Sequence, residues 1–230
     1  MATTKFQRWG ILTIVVVTVI GTIGGFAVMV LAQQQASEQQ AKYQKLLSEY
    51  QVKQADYEKK VQAQSDDLSS KYYDDFKQYS SQVGTFELSS VKEISTEDLV
   101  VGDGEEVTGT TKLATYYIGW DANGHVFDQS IDTTANKLKS PLPISDGLDN
   151  ASLIEGWKEG MKGMKIGGVR VITIPSDKAY GEQGSKDSSG KETIAPNMPL
   201  KFVVKAIPAP EAIAQPDTTE LMNLYSQMNQ

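Results

Sequence analysis

The chain has 230 residues, no cysteine and one histidine, and its 22 Lys and Arg against 29 Asp and Glu give a formal net charge of −7. Without cysteine it can form neither a disulfide framework nor a thiolate zinc site, and a single histidine excludes a paired-histidine zinc helix. The acidic balance argues against nucleic acid as a partner, because phosphate binding depends on clustered Lys and Arg.

The N-terminal part of the chain has the pattern of a membrane anchor that follows a short segment, residues 1–9. Residues 10–32 form a run of 23 uncharged residues rich in Ile and Val, and Lys5 and Arg8 precede it. As a helix rising about 1.5 Å per residue, this run is long enough to span the hydrocarbon core of a bilayer. The basic flank predicts a cytoplasmic N-terminus, with the rest of the chain outside the cytoplasm. The alternative is a cleaved secretory signal, whose apolar region is usually shorter, about 7–15 residues.

Residues 33–83 contain neither glycine nor proline and are rich in Gln, Lys and Glu, which predicts a long exposed helical stalk. Gly84 would end the helix, and residues 84–98 are predicted to form a connector. Eight stalk residues share one stripe, as in a heptad seam: Tyr43, Leu47, Tyr50, Gln54, Tyr57, Val61, Gln64 and Leu68. Because two of them are glutamine, the pattern fits both a weak parallel coiled-coil homodimer and a lone solvated helix.

Short strands and tight turns are predicted between residues 99 and 208. Lys112–Gly119 and His125–Asp128 flank an Asn-Gly turn, which is a hairpin signal. Gly168–Ile174 and Leu200–Ile207 alternate apolar and polar residues, as half-buried antiparallel strands do.

One short helix is predicted over Ser152–Lys162, with Gly163 directly after it. One helix beside several antiparallel strands indicates an α+β fold over residues 99–208, in which a sheet curls around the helix. Residues 209–230 are predicted to form a C-terminal tail with a short helix near its end.

Five motifs in this region carry a family resemblance. In chain order they are Tyr117-Ile118-Gly119-Trp120, Gly124-His125-Val126-Phe127-Asp128-Gln129-Ser130, Leu153-Ile154-Glu155-Gly156-Trp157-Lys158-Glu159-Gly160, Ala179-Tyr180-Gly181 and Ile194-Ala195-Pro196-Asn197. Their order and approximate spacing resemble those of the FKBP-type peptidyl-prolyl cis-trans isomerases. The resemblance implies a five- or six-stranded antiparallel sheet curled around the short helix, with a proline-binding pocket between them.

The resemblance also implies the residues of the site. It implies a catalytic set of Tyr117, Phe127, Asp128, Trp157, Tyr180 and Phe202, and a substrate-binding set of Ile144, Leu153, Ile154 and Ile194. Trp157 would form the floor of the pocket, while the Ile154 N–H and the Tyr180 phenol would hold carbonyls of the bound peptide. Asp128 would either tune the polarity of the amide or hold Tyr117 by a hydrogen bond.

The chemistry of prolyl isomerisation suits this composition. Rotation about an X-Pro bond makes and breaks no covalent bond, and the enzyme only lowers a barrier of about 18–20 kcal/mol. No nucleophile, metal or cofactor is required, which agrees with a chain that has neither thiols nor a histidine cluster. An apolar aromatic pocket would favour the twisted amide, because its charge separation is smaller than that of the planar amide.

These observations predict a single-pass, membrane-anchored isomerase whose domain lies outside the cytoplasm and acts on proline-containing polypeptides in exported or surface proteins. The resemblance adds macrolide immunophilin ligands as partners. The alternatives are a non-catalytic chaperone or peptide-binding module of the same fold on a membrane tether, and a structural tether whose main function is self-association of the stalk. The sequence departs from the family pattern at three positions. Leu142 and Ile144 stand where the family usually has aromatic residues, and Ala195 replaces the first proline of an Ile-Pro-Pro run. These departures bear on the affinity for the substrate and on substrate preference.

Overall fold

The computed structural model describes the backbone of residues 5–228, with side chains described at residues 25, 29–30 and 33–228. The chain forms two compact units, one of Met1–Lys59 with Ala214–Gln230 and one of Lys60–Ile213. Helix α1, Lys5–Lys77, contributes residues to both units. The predicted helical stalk is therefore present, but its regular helix ends at Lys77, and a 3-10 turn, Gln78–Gln82, precedes Gly84.

The predicted membrane anchor, residues 10–32, lies outside the residues whose side chains are described, except for Gly25, Met29 and Val30. In the part of the chain that the structure describes, no helix is long and apolar enough to cross a membrane. The anchor stays a prediction from the sequence.

The first unit pairs part of helix α1 with a C-terminal helix, α3, Thr219–Met228. The rings of Tyr43 and Tyr225 lie 6.0 Å apart, and Lys42 Nζ lies 3.5 Å from Glu220 Oε1. The predicted seam is thus contacted at Tyr43 by a helix of the same chain, and the coiled-coil homodimer stays a prediction.

The second unit is built on an antiparallel sheet beside the short helix α2, Glu155–Met161. The strands of the unit are β1 Ser95–Val100, β2 Leu113–Asp121, β3 Val126–Gln129, β4 Ile131–Asp132, β5 Lys137–Leu138, β6 Leu142–Ile144, β7 Val169–Ile174, β8 Ser185–Lys186, β9 Glu192–Ile194 and β10 Leu200–Pro208. The main sheet has the order β1-β7-β10-β2-β3, and β6 pairs with the start of β2. Strands β4 and β5 form one separate hairpin, and β8 and β9 form another. The predicted α+β architecture, an antiparallel sheet with one short helix, is confirmed.

The turn between β2 and β3 follows from the residues that the sequence places there. Asp121 Oδ1 accepts hydrogen bonds from the backbone N–H groups of Asn123 and His125, at 2.9 and 3.0 Å. Gly124 has a φ of 79°, a conformation that glycine adopts without the strain of a Cβ atom. This is the predicted Asn-Gly turn, and it sets the register that brings β3 beside β2.

Helix α2 lies directly on the inner face of the sheet because two glycines allow a close approach. A Cβ atom at Gly156 would overlap the side chain of Ile174, and one at Gly160 would overlap Ile172. The helix is shorter than predicted and begins at Glu155, since Ile154 has an extended backbone with φ −58° and ψ 148°. The close contact places Trp157, which is 3% exposed, against the sheet.

A buried arginine ties this helix to the edge of the sheet. Arg170 is 6% exposed, and its guanidinium donates to both carboxylate oxygens of Asp98, at 2.6 and 3.0 Å. Its Nη1 also donates to the carbonyls of Gly160 and Lys162 at the end of α2, at 3.0 Å each. The arginine therefore satisfies carbonyls that the helix itself leaves unpaired, and it lowers the pKa of Asp98 by a hydrogen bond.

The outer face of the sheet is also buried, which corrects the expectation that the stalk is exposed along its whole length and that β10 is half-buried. Every residue of β10 between Phe202 and Ile207 is buried. Tyr116, Ile118 and Val203 on the outer face form a core with Phe76 of helix α1, and Phe76 is fully buried. Apolar residues stand at both alternating positions of the central strands because each face has its own covering helix.

Lys205 is the charged exception on the covered outer face. It is 8% exposed, and its Nζ lies 5.6 Å from the centre of the Tyr72 ring on helix α1. Loss of hydration lowers the pKa of Lys205, while Asp75 acts in the opposite direction with a smaller effect. The buried ammonium therefore opposes folding at neutral pH.

Phe76→Ala should show that the end of helix α1 belongs to the core of the domain. We expect it to lower the free energy of unfolding by about 3–5 kcal/mol, because it removes a fully buried aromatic ring. Urea unfolding of the full chain, followed by tryptophan fluorescence, measures the change. Val52→Ala is the control, since Val52 is 71% exposed on the same helix and should change stability by less than about 0.5 kcal/mol. Equal stability of both variants would contradict the assignment.

Lys205→Met should raise the free energy of unfolding by about 1 kcal/mol at pH 7, because it removes a buried charge and keeps the side-chain volume. The folded-state pKa of Lys205 lies below its ordinary value of 10.5, so the unfolded chain binds more protons between the two values. Wild-type stability should therefore gain a contribution from Lys205 as pH rises toward 10.5, and the variant should lack that contribution. Urea unfolding from pH 7 to pH 10.5 measures both effects. The control is Lys112→Met, because Lys112 is exposed. A lower free energy of unfolding for Lys205→Met than for the wild type at pH 7 would refute the prediction.

Candidate active site

A cavity of about 380 Å³ opens between helix α2 and the inner face of the sheet. Its lining is mostly apolar and comes from β2, β3, β6, β10, helix α2, the segment before that helix, and the turn between β7 and β8. The lining residues are Tyr117, Phe127, Asp128, Leu142, Ser152, Leu153, Ile154, Trp157, Tyr180 and Phe202. Eight of the ten residues named from the resemblance lie around this one cavity.

Four aromatic rings from four different elements pack edge to face in the cavity wall. The ring of Trp157 lies 5.3 Å from that of Tyr117 and 5.4 Å from that of Phe202, each at an interplanar angle of 88°. Phe127 and Phe202 are 5.6 Å apart at 82°. Edge-to-face packing holds each ring in a defined orientation, so the cavity has rigid walls before any ligand enters.

Gly119 on strand β2 makes room for two of these rings. A Cβ atom there would lie 2.6 Å from Phe202 and 2.8 Å from Phe127, closer than real contacts allow. The rings of Phe127 and Phe202 can therefore occupy these positions only because residue 119 is a glycine.

Asp128 and Tyr117 form the main polar contact at the mouth of the cavity. The Tyr117 hydroxyl donates to Asp128 Oδ2 at 2.5 Å, and the backbone N–H of Gln129 donates to Asp128 Oδ1 at 2.8 Å. Burial raises the pKa of Tyr117, and the hydrogen bond to Asp128 raises it further. One predicted role of Asp128, to hold the Tyr117 hydroxyl, requires this hydrogen bond, which is present. The other predicted role, to tune the polarity of a bound amide, stays a prediction. The side chain of Asp128 is exposed.

Tyr180 stands at the rim, with 40% of its surface exposed. Burial of its inner part raises the pKa of Tyr180, and the charge of Asp128 acts in the same direction. The hydroxyl therefore remains protonated at neutral pH and can donate a hydrogen bond. Nearby, Lys178 Nζ lies 2.6 Å from Glu155 and 3.6 Å from Glu159, which links the turn before Tyr180 to helix α2.

Ile154 and Leu153 line the cavity at the start of helix α2. The carbonyl of Ile154 accepts a hydrogen bond from the Trp157 N–H at 3.1 Å, so the segment is fixed by the first turn of the helix. The predicted use of the Ile154 N–H to hold a peptide carbonyl is compatible with this position and stays a prediction.

Two predicted residues, Ile144 and Ile194, do not line the cavity. They are 1% and 4% exposed and belong to the core cluster beneath the cleft. The cavity contains Leu142 and Ser152 in their place. The alternation of β6 indicates that Leu142 shares a face with Ile144, so the pattern was visible in the sequence, whereas nothing in the sequence indicated Ser152.

Within the described part of the chain, no group of three His, Asp or Glu residues could hold a metal ion. The polar side-chain groups around the cavity are a carboxylate, two phenols, a serine hydroxyl and the indole N–H of Trp157, which has no hydrogen-bond partner among the described residues. Such a site can orient a peptide and exclude water from it.

Sequence comparisons agree with this geometry. The sequence model of the family of FKBP-type peptidyl-prolyl cis-trans isomerases matches residues 103–207. An FK506-binding protein of Neisseria meningitidis serogroup A is 38% identical over 111 residues, which are 48% of this chain and 91% of that protein. FK506-binding protein 4 of Dictyostelium discoideum is 39% identical over 111 residues, which are 48% of this chain and 27% of that protein.

Among solved structures, a peptidyl-prolyl cis-trans isomerase from Pseudomonas syringae pv. tomato has a TM-score of 0.41 and 30% identity, and the match covers 51% of this chain and 76% of that one.

An antiparallel sheet that holds an aromatic cleft against one short helix is the architecture of a ligand-binding domain. The chain belongs to the family of FKBP-type peptidyl-prolyl cis-trans isomerases and is therefore an isomerase. The family match begins at residue 103, so helix α1 lies outside it.

Proposed function

We propose that the chain accelerates rotation about X-Pro bonds of polypeptides by holding the proline ring in the aromatic cleft. The observation that carries this proposal is the set of edge-to-face rings around Trp157 in a cavity of about 380 Å³. A proline ring is apolar and compact, and an aromatic floor with rigid walls gives it contact on several sides.

The mechanism needs no covalent intermediate. Rotation through the twisted amide loses the resonance of the planar peptide bond, and the barrier is about 18–20 kcal/mol. A cleft that excludes water disfavours the planar amide, whose charge separation is larger, relative to the twisted transition state. The rings of Trp157, Phe127 and Phe202 would supply this environment.

Tyr180 would orient the bound peptide. The Tyr117 hydroxyl already donates to Asp128, so the phenol positioned at the rim to meet a substrate is that of Tyr180. As a neutral donor it would hold a carbonyl next to the proline and transfer no proton. The Ile154 N–H at the start of α2 would hold a second carbonyl.

The proposed substrates are proline-containing segments of exported or surface proteins, and the proposed location is outside the cytoplasm. Support comes from the sequence, in which 23 uncharged residues follow a basic N-terminal segment. Several relatives are named FK506-binding proteins, so a macrolide ligand in the same cleft is part of the proposal.

Protease treatment of intact cells tests the location. We expect the domain of residues 99–208 to be cleaved from outside, and a cytoplasmic control protein to survive. A domain that is degraded only after lysis would refute the location without bearing on the isomerase activity.

Tyr180→Phe tests the activity. We expect the full chain to accelerate cis-trans isomerisation of a short X-Pro peptide, and the variant to lose about five- to tenfold in kcat/KM through one missing hydrogen bond. Tyr57→Phe, on helix α1 far along the chain from the cleft residues, is the matched control and should leave the rate unchanged.

No acceleration by the folded wild-type chain would refute the catalytic proposal. Binding of a proline-containing peptide in that case would favour the alternative, a non-catalytic peptide-binding module with the same cleft.

A further inference from the structure

The hairpin β4–β5 joins the stalk helix to the strand that carries the site residues. It follows directly after β3, and it lies against the part of helix α1 that belongs to the same compact unit. The backbone N–H of Leu138 on β5 donates to Ser69 Oγ on α1 at 2.8 Å, and both residues are buried, at 1% and 4% exposure. A side chain of the stalk is therefore the acceptor for a buried backbone donor of the hairpin.

Two further contacts fix the same hairpin to the helix. Ser140 Oγ donates to Ser65 Oγ at 3.1 Å, and Lys137 Nζ lies 3.0 Å from Asp66 Oδ1. Ser65 is one helical turn before Ser69, so both hydroxyls lie on one face of α1. The region of attachment thus spans a full turn of the helix.

At its other side, the hairpin is bonded to the site. The N–H of Lys139 donates to the carbonyl of Ser130 at 2.8 Å, directly after Leu138. Ser130 is 4% exposed; its N–H donates to the carbonyl of Tyr117 at 2.8 Å, and its hydroxyl accepts from the Tyr117 N–H at 3.0 Å. Tyr117 in turn donates its hydroxyl to Asp128.

These contacts form a continuous path of hydrogen bonds and adjacent residues from the stalk to the mouth of the cleft. The path runs from Ser69 through Leu138 and Ser130 to Tyr117 and ends at Asp128. Ser69, Leu138 and Ser130 are buried, so moving one of these three residues would leave a polar group of its neighbour without a hydrogen bond away from water.

We propose that Ser69 is a positioning residue for the isomerase site, and that the stalk helix, outside the span of the family match, holds Tyr117 and strand β3 in register. This inference rests on the isomerase function proposed above. Ser69 contacts no substrate and acts through hairpin β4–β5 and Ser130.

Ser69→Ala in the full chain tests the proposal. The buried Leu138 N–H would lose its acceptor, and we expect kcat for an X-Pro peptide to fall by about fivefold with little change in KM. Ser70→Ala is the matched control, because Ser70 is the exposed neighbour on the same helix, and it should keep the wild-type kcat. A thermal melt of each variant establishes the folded fraction at the assay temperature.

A double-mutant cycle with Tyr117→Phe separates positioning from general destabilisation. If Ser69 acts through the bond between Tyr117 and Asp128, Ser69→Ala should have a smaller effect on kcat in the Tyr117→Phe background. Equal effects in both backgrounds, a wild-type kcat for Ser69→Ala, or a loss that only follows the unfolded fraction would overturn the proposal.

If Ser69→Ala does not fold, Ser65→Ala tests whether the contacts between the stalk helix and hairpin β4–β5 affect the site. It removes only the acceptor of Ser140, so we expect a folded chain with a loss of about twofold in kcat; a wild-type kcat would overturn the proposal. Failure of the underlying function has a different signature, because the wild-type chain itself would then give no acceleration.

Discussion

Burial of the central strands β2 and β10 on both faces is the constraint on which the rest of the domain depends. Helix α2 covers the inner face through the close approach at Gly156 and Gly160, and the end of helix α1 covers the outer face through Phe76. Each helix buries aromatic and branched side chains of the sheet that water would otherwise contact. Because the two cores share the same strands, a change in either helix acts on one common sheet.

Strand β2 shows how stalk and site are related. Successive side chains point to opposite faces, so Tyr117 and Gly119 serve the cleft, while Tyr116 and Ile118 contact the core beneath the stalk helix. If such a strand shifted by one residue, the residues that face the cleft and those that face the stalk helix would change places. The outer core therefore helps to fix the register of the site.

Polar groups in the domain mostly have a positional role. Arg170 connects the edge strand to the end of α2, Asp128 holds the Tyr117 hydroxyl, and Ser69 accepts the bond of Leu138. Lys205 differs, because its ammonium is buried beneath the stalk helix, where loss of hydration lowers the pKa of Lys205. The walls of the cleft are mostly aromatic rings, and its charged lining residue, Asp128, is bonded to Tyr117, which suits a reaction that needs shape and exclusion of water more than charge.

The sequence by itself determined the local features: the Asn-Gly turn, the glycines of the helix α2 motif, the antiparallel α+β architecture and eight residues of the cleft. These follow from backbone requirements and from a motif order that the family shares. Only the tertiary structure decided that Ile144 and Ile194 lie in the core, that Ser152 lines the cavity, and that Phe76 is buried. The physical reason is that periodicity in a sequence predicts which face of a strand or helix is apolar. It does not say which other segment covers that face, because that depends on packing between residues far apart in the chain.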